Sequence, residues 1–111
     1  MIEQIAKTAH SVHRAYCIAN NISTQPEWDS VEQEHKEVVY NSIKSILNGE
    51  ISSLEESHNK FVESKKSQGW TYGQQYDITK KTNPRLVPFE NLNLSQKTKE
   101  MIFFECVNSF K

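Results

Sequence analysis

Residues 2–19 read Ile2-Glu3-Gln4-Ile5-Ala6-Lys7-Thr8-Ala9-His10-Ser11-Val12-His13-Arg14-Ala15-Tyr16-Cys17-Ile18-Ala19, without a glycine or a proline. Within them Ile5, Ala9, Val12, Tyr16 and Ala19 recur at alternating steps of four and three, the spacing that keeps side chains on one face of a helix. The pattern predicts a helix over residues 2–19, stopped by Asn20-Asn21. It also sets the reading of the rest of the chain, because the same period returns three times downstream.

After a polar stretch to Gln25-Pro26, the loop is expected to end in an aromatic plug, Trp28. Asp29 or Ser30 is predicted to cap a second helix, with Val31, His35, Val38, Ser42 and Ile46 on its buried stripe and Asn48-Gly49 at its end. A third helix opens with Ser52-x-x-Glu55 or Ser53-x-x-Glu56, either of which is a capping box. It turns Leu54, His58, Phe61 and Val62 inward and closes at Gly69. Residues 70–93 lose the helical period and gather Trp70, Tyr72, Gly73, Tyr76, Lys80-Lys81, Asn83-Pro84 and Pro88. A last helix is predicted from about Ser95 to Phe110. There Met101, Ile102, Phe103, Phe104, Cys106, Val107 and Phe110 cover most of the circumference, so it should be buried on several sides. The expected fold is mainly α: about four helices, with a long irregular, partly extended segment between the third and fourth, in one domain over 1–111.

Hydrophobic residues make up 36% and charged residues 24%, a balance that favours folding over disorder. No apolar run approaches the roughly 18 residues of a membrane span, and the first residues carry no export pattern. Cys17 and Cys106 fall in apolar helical patterns, which predicts two buried, reduced thiols and a cytoplasmic setting. Net charge is −1 but unevenly spread, with eight acids against Lys36 and Lys44 between Glu27 and Glu56. From Lys60 to Lys99 the balance reverses, with eight bases against Glu63, Asp77 and Glu90, so part of the surface should attract anions. Neither a membrane nor a nucleic acid is expected as partner.

His10, His13 and Cys17 share one helical side, but no fourth metal ligand and no CxxC or HExxH spacing accompanies them, so no metal is expected. The phosphate-cradling patterns GxGxxG and GxxxxGK[ST] are missing, and no carboxylate spacing suggests an acid–base pair. The expectation is a non-enzymatic protein without a cofactor. The chemistry that stands out is Trp70, Tyr72, Tyr76, Lys80, Lys81 and Arg85, which combine flat rings for stacking with cations for phosphate oxygens, a pairing suited to a nucleotide. The competing reading is that Trp70 and Tyr72 pin the irregular segment to the helices while the lysines point to water.

Taken together, His10-Ser11-Val12-His13-Arg14-Ala15-Tyr16-Cys17, Gln25-Pro26-x-Trp28, Gly69-Trp70-Thr71-Tyr72-Gly73, Lys80-Lys81 and Asn83-Pro84-x-Leu86-Val87-Pro88-Phe89 resemble the RyR domain, the repeat named after ryanodine receptors. The resemblance runs from Ile5 to Val107. It implies a stand-alone single repeat of the bacterial and phage kind, working as a homodimer. A ligand would lie in the cleft between paired repeats, its flat ring stacked on Trp70, with Tyr72 lining the cleft. Lys80, Lys81 and Arg85 are assigned as nearby cations on charge more than on the motif. His13 replaces a frequent Asn and Gln74 a frequent Pro, and both bear on ligand choice. The resemblance also implies a signal-binding or signal-sequestering role in nucleotide signalling, on the side of anti-phage defence or of counter-defence. The alternative is a protein-interaction or structural module without a small-molecule ligand.

Overall fold

The computed structural model describes residues 1–111 and contains four α-helices: α1 (Ile2–Ala19), α2 (Gln33–Leu47), α3 (Leu54–Ser67) and α4 (Leu94–Asn108). Two short 3-10 turns, Trp28–Ser30 and Phe89–Asn91, punctuate the connections. There is no sheet; the segment between α3 and α4 has only isolated bridges, Thr71 with Thr82 and Asp77 with Thr82. The mainly α architecture expected from the periodicity is the one observed.

The principal core joins three helices and two connections: Ile5 and Ala6 of α1, Trp28, Ile43 and Ile46 of α2, Ile51, and Phe104 and Val107 of α4. α1 packs most extensively on α4 and also on α2. At the start of α1, Glu3 accepts hydrogen bonds from Trp28 Nε1 at 2.9 Å and from the Tyr40 hydroxyl, tying α1 to the first 3-10 turn and to α2. The Glu3 bond pushes the Tyr40 pKa up to about 12 and the Tyr40 bond, the larger of the two, holds the Glu3 pKa below its ordinary value.

Several expected details are corrected. Neither Asp29 nor Ser30 caps α2: Trp28–Ser30 forms its own turn, and the helix starts at Gln33 behind Glu32, which makes no side-chain cap bond. Trp28 is the apolar plug of the core, so the chain turns around it before the helix can begin. The inward stripe of α2 is rotated from the one expected, with Ile43 and Ile46 buried and Val39, Tyr40 and Leu47 packed beside them, while His35 and Val38 are exposed. On α1, Val12 and Ala19 are exposed and Ala6 and Cys17 are buried instead. The reason is that α1 packs mainly on α4 and α2, with the Trp28 turn at one side, and their positions select a narrower strip than periodicity alone proposes. Cys106 is only partly buried, unlike Cys17. Met101 and Phe110 remain 48% and 41% exposed, so this chain covers α4 on fewer sides than its composition suggests.

Helix ends follow their capping chemistry. Ser53 Oγ accepts the Glu56 N–H at 3.1 Å, but the Glu56 carboxylate reaches back to Ser52, whose hydroxyl donates to it at 2.9 Å, rather than to Ser53. α4 opens with a full capping box, Asn93 with Gln96, one residue ahead of the expected start.

Candidate functional site

The irregular segment is launched by the end of α3. Gly69, at φ +90°, takes the left-handed conformation, its N–H bonded to Lys66 O and that of Trp70 to Lys65 O, both at 3.0 Å. This Schellman arrangement satisfies the last carbonyls of α3 and turns the chain back over it. Lys81, also left-handed at φ +56°, donates from Nζ to Gln68 O at 3.0 Å, so the far limb of the loop is fastened to the same helix end.

Between these anchors the loop is closed by backbone bonds: Thr71 N to Lys81 O, Asn83 N to Thr71 O, and a reciprocal pair between Asp77 and Thr82. Asp77 Oδ1 accepts from the N–H groups of Thr79 and Lys80, shaping the tip. Gly73 lies against Thr82 so closely that an added Cβ would sit 2.6 Å from the Thr82 Cβ. Thr82 cannot give way cheaply, because its hydroxyl donates to Gln75 O at 2.9 Å and its backbone is paired. Gly73→Ala is therefore expected to pry the loop open at about 1–3 kcal/mol, read as a lower urea midpoint with an unchanged slope.

Trp70 is buried, 9% exposed, with Tyr76 tilted over it at a centroid distance of 5.5 Å and Lys65 Nζ 5.3 Å from the ring centre. Tyr72 and Tyr76 are 55% and 63% exposed, and Ile78 beyond them is 70% exposed. Lys80 is exposed at the tip; Lys81, also exposed, is held to Gln68. The structure thus brings Trp70, Tyr76, Lys65 and the lysine pair onto one loop and its helix end. Arg85 is placed differently. Its guanidinium lies over the Phe61 ring at 4.1 Å and pairs with Glu100 at 3.4 Å, at the junction of α3 and α4.

That junction holds a feature that periodicity alone does not disclose. His58, read only as an inward-facing position of α3, is fully buried and both of its ring nitrogens meet acceptors: Nδ1 faces Glu100 Oε1 at 2.8 Å, and Nε2 faces Val87 O at 2.7 Å. Neutral imidazole has one N–H, so donating to both requires the imidazolium. Burial alone pushes the ring toward neutrality, but the hydrogen bond that the ring donates to Glu100, the one it donates to the Val87 carbonyl and the Glu100 charge outweigh it against the opposing Arg85, and the His58 pKa lies above its ordinary value. His58 is the sole fully buried side chain of α3. The helix is therefore held to α4 and to the irregular segment substantially through this charged contact.

The histidines of α1 are engaged separately: His10 Nε2 lies 2.7 Å from Pro26 O, and His13 Nδ1 lies 3.9 Å from Cys17 Sγ. No helix is long and apolar enough to cross a membrane.

A helical domain carrying an anchored aromatic and basic loop between its last two helices defines the class of fold. The family profile of the RyR domain matches residues 50–110, and the chain belongs to the RyR domain family. The match takes in α3, the whole irregular segment and α4; α1 and α2 lie outside it, so the resemblance read in the first helix is not part of the matched region.

Proposed function

We propose that this RyR-family chain is a non-catalytic binding module for a nucleotide-derived small molecule, acting in the cytoplasm as a homodimer that senses the ligand or withdraws it from solution. The observation that carries the reading is the Trp70–Tyr76 pair with Lys65 beside it and Lys80 and Lys81 on the same loop. Trp70 is covered, so a flat ring meets the pair from the side of Tyr76, which is exposed, and extends the stack outward. Lysines around it supply donors for phosphate oxygens. Stand-alone repeats of this family are associated by resemblance with phage–host nucleotide signalling, which fits sequestration.

A thermal-shift screen of nucleotides and cyclic dinucleotides, with the mass followed by light scattering, tests the proposal, since a ligand binding only the native state raises the melting temperature. Tyr76→Ala is the decisive variant. It is expected to weaken the hit by roughly 5- to 150-fold while leaving the melting temperature of the free protein within about 2 °C. An unchanged affinity removes Tyr76 from the site; a chain that is monomeric with and without ligand removes the shared cleft.

A second reading draws on one observation: Tyr72, Tyr76 and Ile78 present exposed rings and an exposed aliphatic chain on one short loop. Such a surface suits a protein partner equally well. A screen that yields no ligand, together with a partner whose binding is lost in Ile78→Ser, favours it.

A further inference from the structure

We propose that His13, Arg85 and Lys99 form a seat for a phosphate group in the angle between α1 and α4. The two helices run antiparallel: Ile5 and Ala6 share the core with Phe104 and Val107, whereas Tyr16 donates to Ser95 Oγ at 3.5 Å at the other end. One turn back from Tyr16 on α1 is His13, and one turn on from Ser95 in α4 is Lys99, which brings the two side chains to the same level. Arg85 reaches this level from the irregular segment, its guanidinium resting on Phe61 and pointed at Glu100, the residue after Lys99.

Charge at this place is not balanced. The chain's two ion pairs both end on Glu100, which serves the His58 imidazolium and Arg85 together, and no carboxylate pairs with Lys99. His13, Arg85 and Lys99 are each half-buried, so they are partly desolvated yet reachable. His13 Nδ1 faces Cys17 Sγ, and Nε2 has no protein partner. The groups bearing on His13 are cationic or neutral: Lys99 from α4, His10 and Cys17 from α1, and Arg85 from the irregular segment. Burial, then Lys99, His10 and Arg85, hold its pKa below the ordinary histidine value, leaving the ring neutral at pH 7. A tetrahedral dianion fits what is missing: it accepts from the Arg85 fork, from Lys99 and from a protonated His13, and it offsets the surplus charge. Binding would then draw a proton onto His13, so affinity rises as pH falls.

Inorganic pyrophosphate is the probe, in low-salt buffer, followed by NMR of the histidine rings. It carries no base, so the result stands or falls separately from stacking at Trp70 and Tyr76. Saturating pyrophosphate is expected to raise the His13 titration midpoint by about one unit, which by linkage means about tenfold tighter binding to the protonated ring. Lys99→Gln and His13→Asn should each weaken binding about fivefold or more, and His13→Asn should also abolish its pH dependence. Lys44→Gln, on the exposed face of α2, should change nothing. The proposal is overturned if the His13 midpoint does not move at about 10 mM pyrophosphate, or if Lys44→Gln weakens binding as much as Lys99→Gln, the mark of diffuse attraction.

Discussion

Replacing Glu100 with Gln is expected to lower stability by about 3–5 kcal/mol, because it leaves the His58 imidazolium buried without its counter-charge. For a domain of this size that corresponds to a fall in melting temperature on the order of 10–20 °C. The same contact predicts the direction of the pH dependence. His58 has a folded pKa above its unfolded one, so the stabilisation is fully present below the ordinary histidine pKa and is lost as pH rises through the folded value. Urea unfolding at steps from about pH 6 to 9 should show stability declining toward the alkaline side, and Glu100→Gln should flatten that slope. A melting temperature lowered by less than about 2 °C in Glu100→Gln, or a slope unchanged by it, would mean that His58 is neutral and accepts or forgoes one of its two bonds.

Trp70→Ala is the second large effect. Its ring is 9% exposed, under Tyr76 and beside Lys65, and the Schellman turn at Gly69 fixes its backbone. Truncation should cost about 3–5 kcal/mol of stability, as for other buried aromatic side chains. The variant by itself cannot then separate a supporting role from a binding one. Trp70→Phe can, since it keeps a ring under Tyr76: it is expected to recover most of the stability and to bind a confirmed nucleotide within about tenfold of the parent. If Trp70→Ala melts with the parent, the ring is not part of the packing. If Trp70→Phe is stable but loses the ligand altogether, the indole itself meets the ligand rather than supporting Tyr76.

What makes Trp70 hard to assign from sequence is that a stacking residue and a core anchor look alike in one dimension. Glycine, tryptophan and tyrosine in Gly69-Trp70-Thr71-Tyr72-Gly73 show that a special turn is being built, and Gly69 at φ +90° confirms that part of the reading. They do not say which ring faces inward. In the fold Trp70 is the inner ring and Tyr72 and Tyr76 the outer ones, a consequence of the bonds from Thr71 and Asn83 across the loop. The three cations divide in the same way: Lys80 is exposed, Lys81 is exposed but tied to Gln68 by one of its donors, and Arg85 is drawn to Phe61 and Glu100.

By itself the sequence determined the number and order of the α-helices, a serine cap at Ser52 or Ser53 from which the structure chose Ser53, the glycine that ends α3 and the loss of α-helical period over residues 70–93. These are local matters, decided by side-chain spacing and by what Ser, Gly and Pro permit the backbone within a few residues. Tertiary structure alone decided which strip of each helix is covered, since α1 can bury Ala6 rather than Val12 only once α2 and α4 are in place. It also decided the charge state of His58. Glu100 is 42 residues away and the Val87 carbonyl 29, and no local pattern records that a buried ring will find an acceptor at each nitrogen. Dielectric and partner are properties of an assembled interior, and they come into being only when distant segments meet.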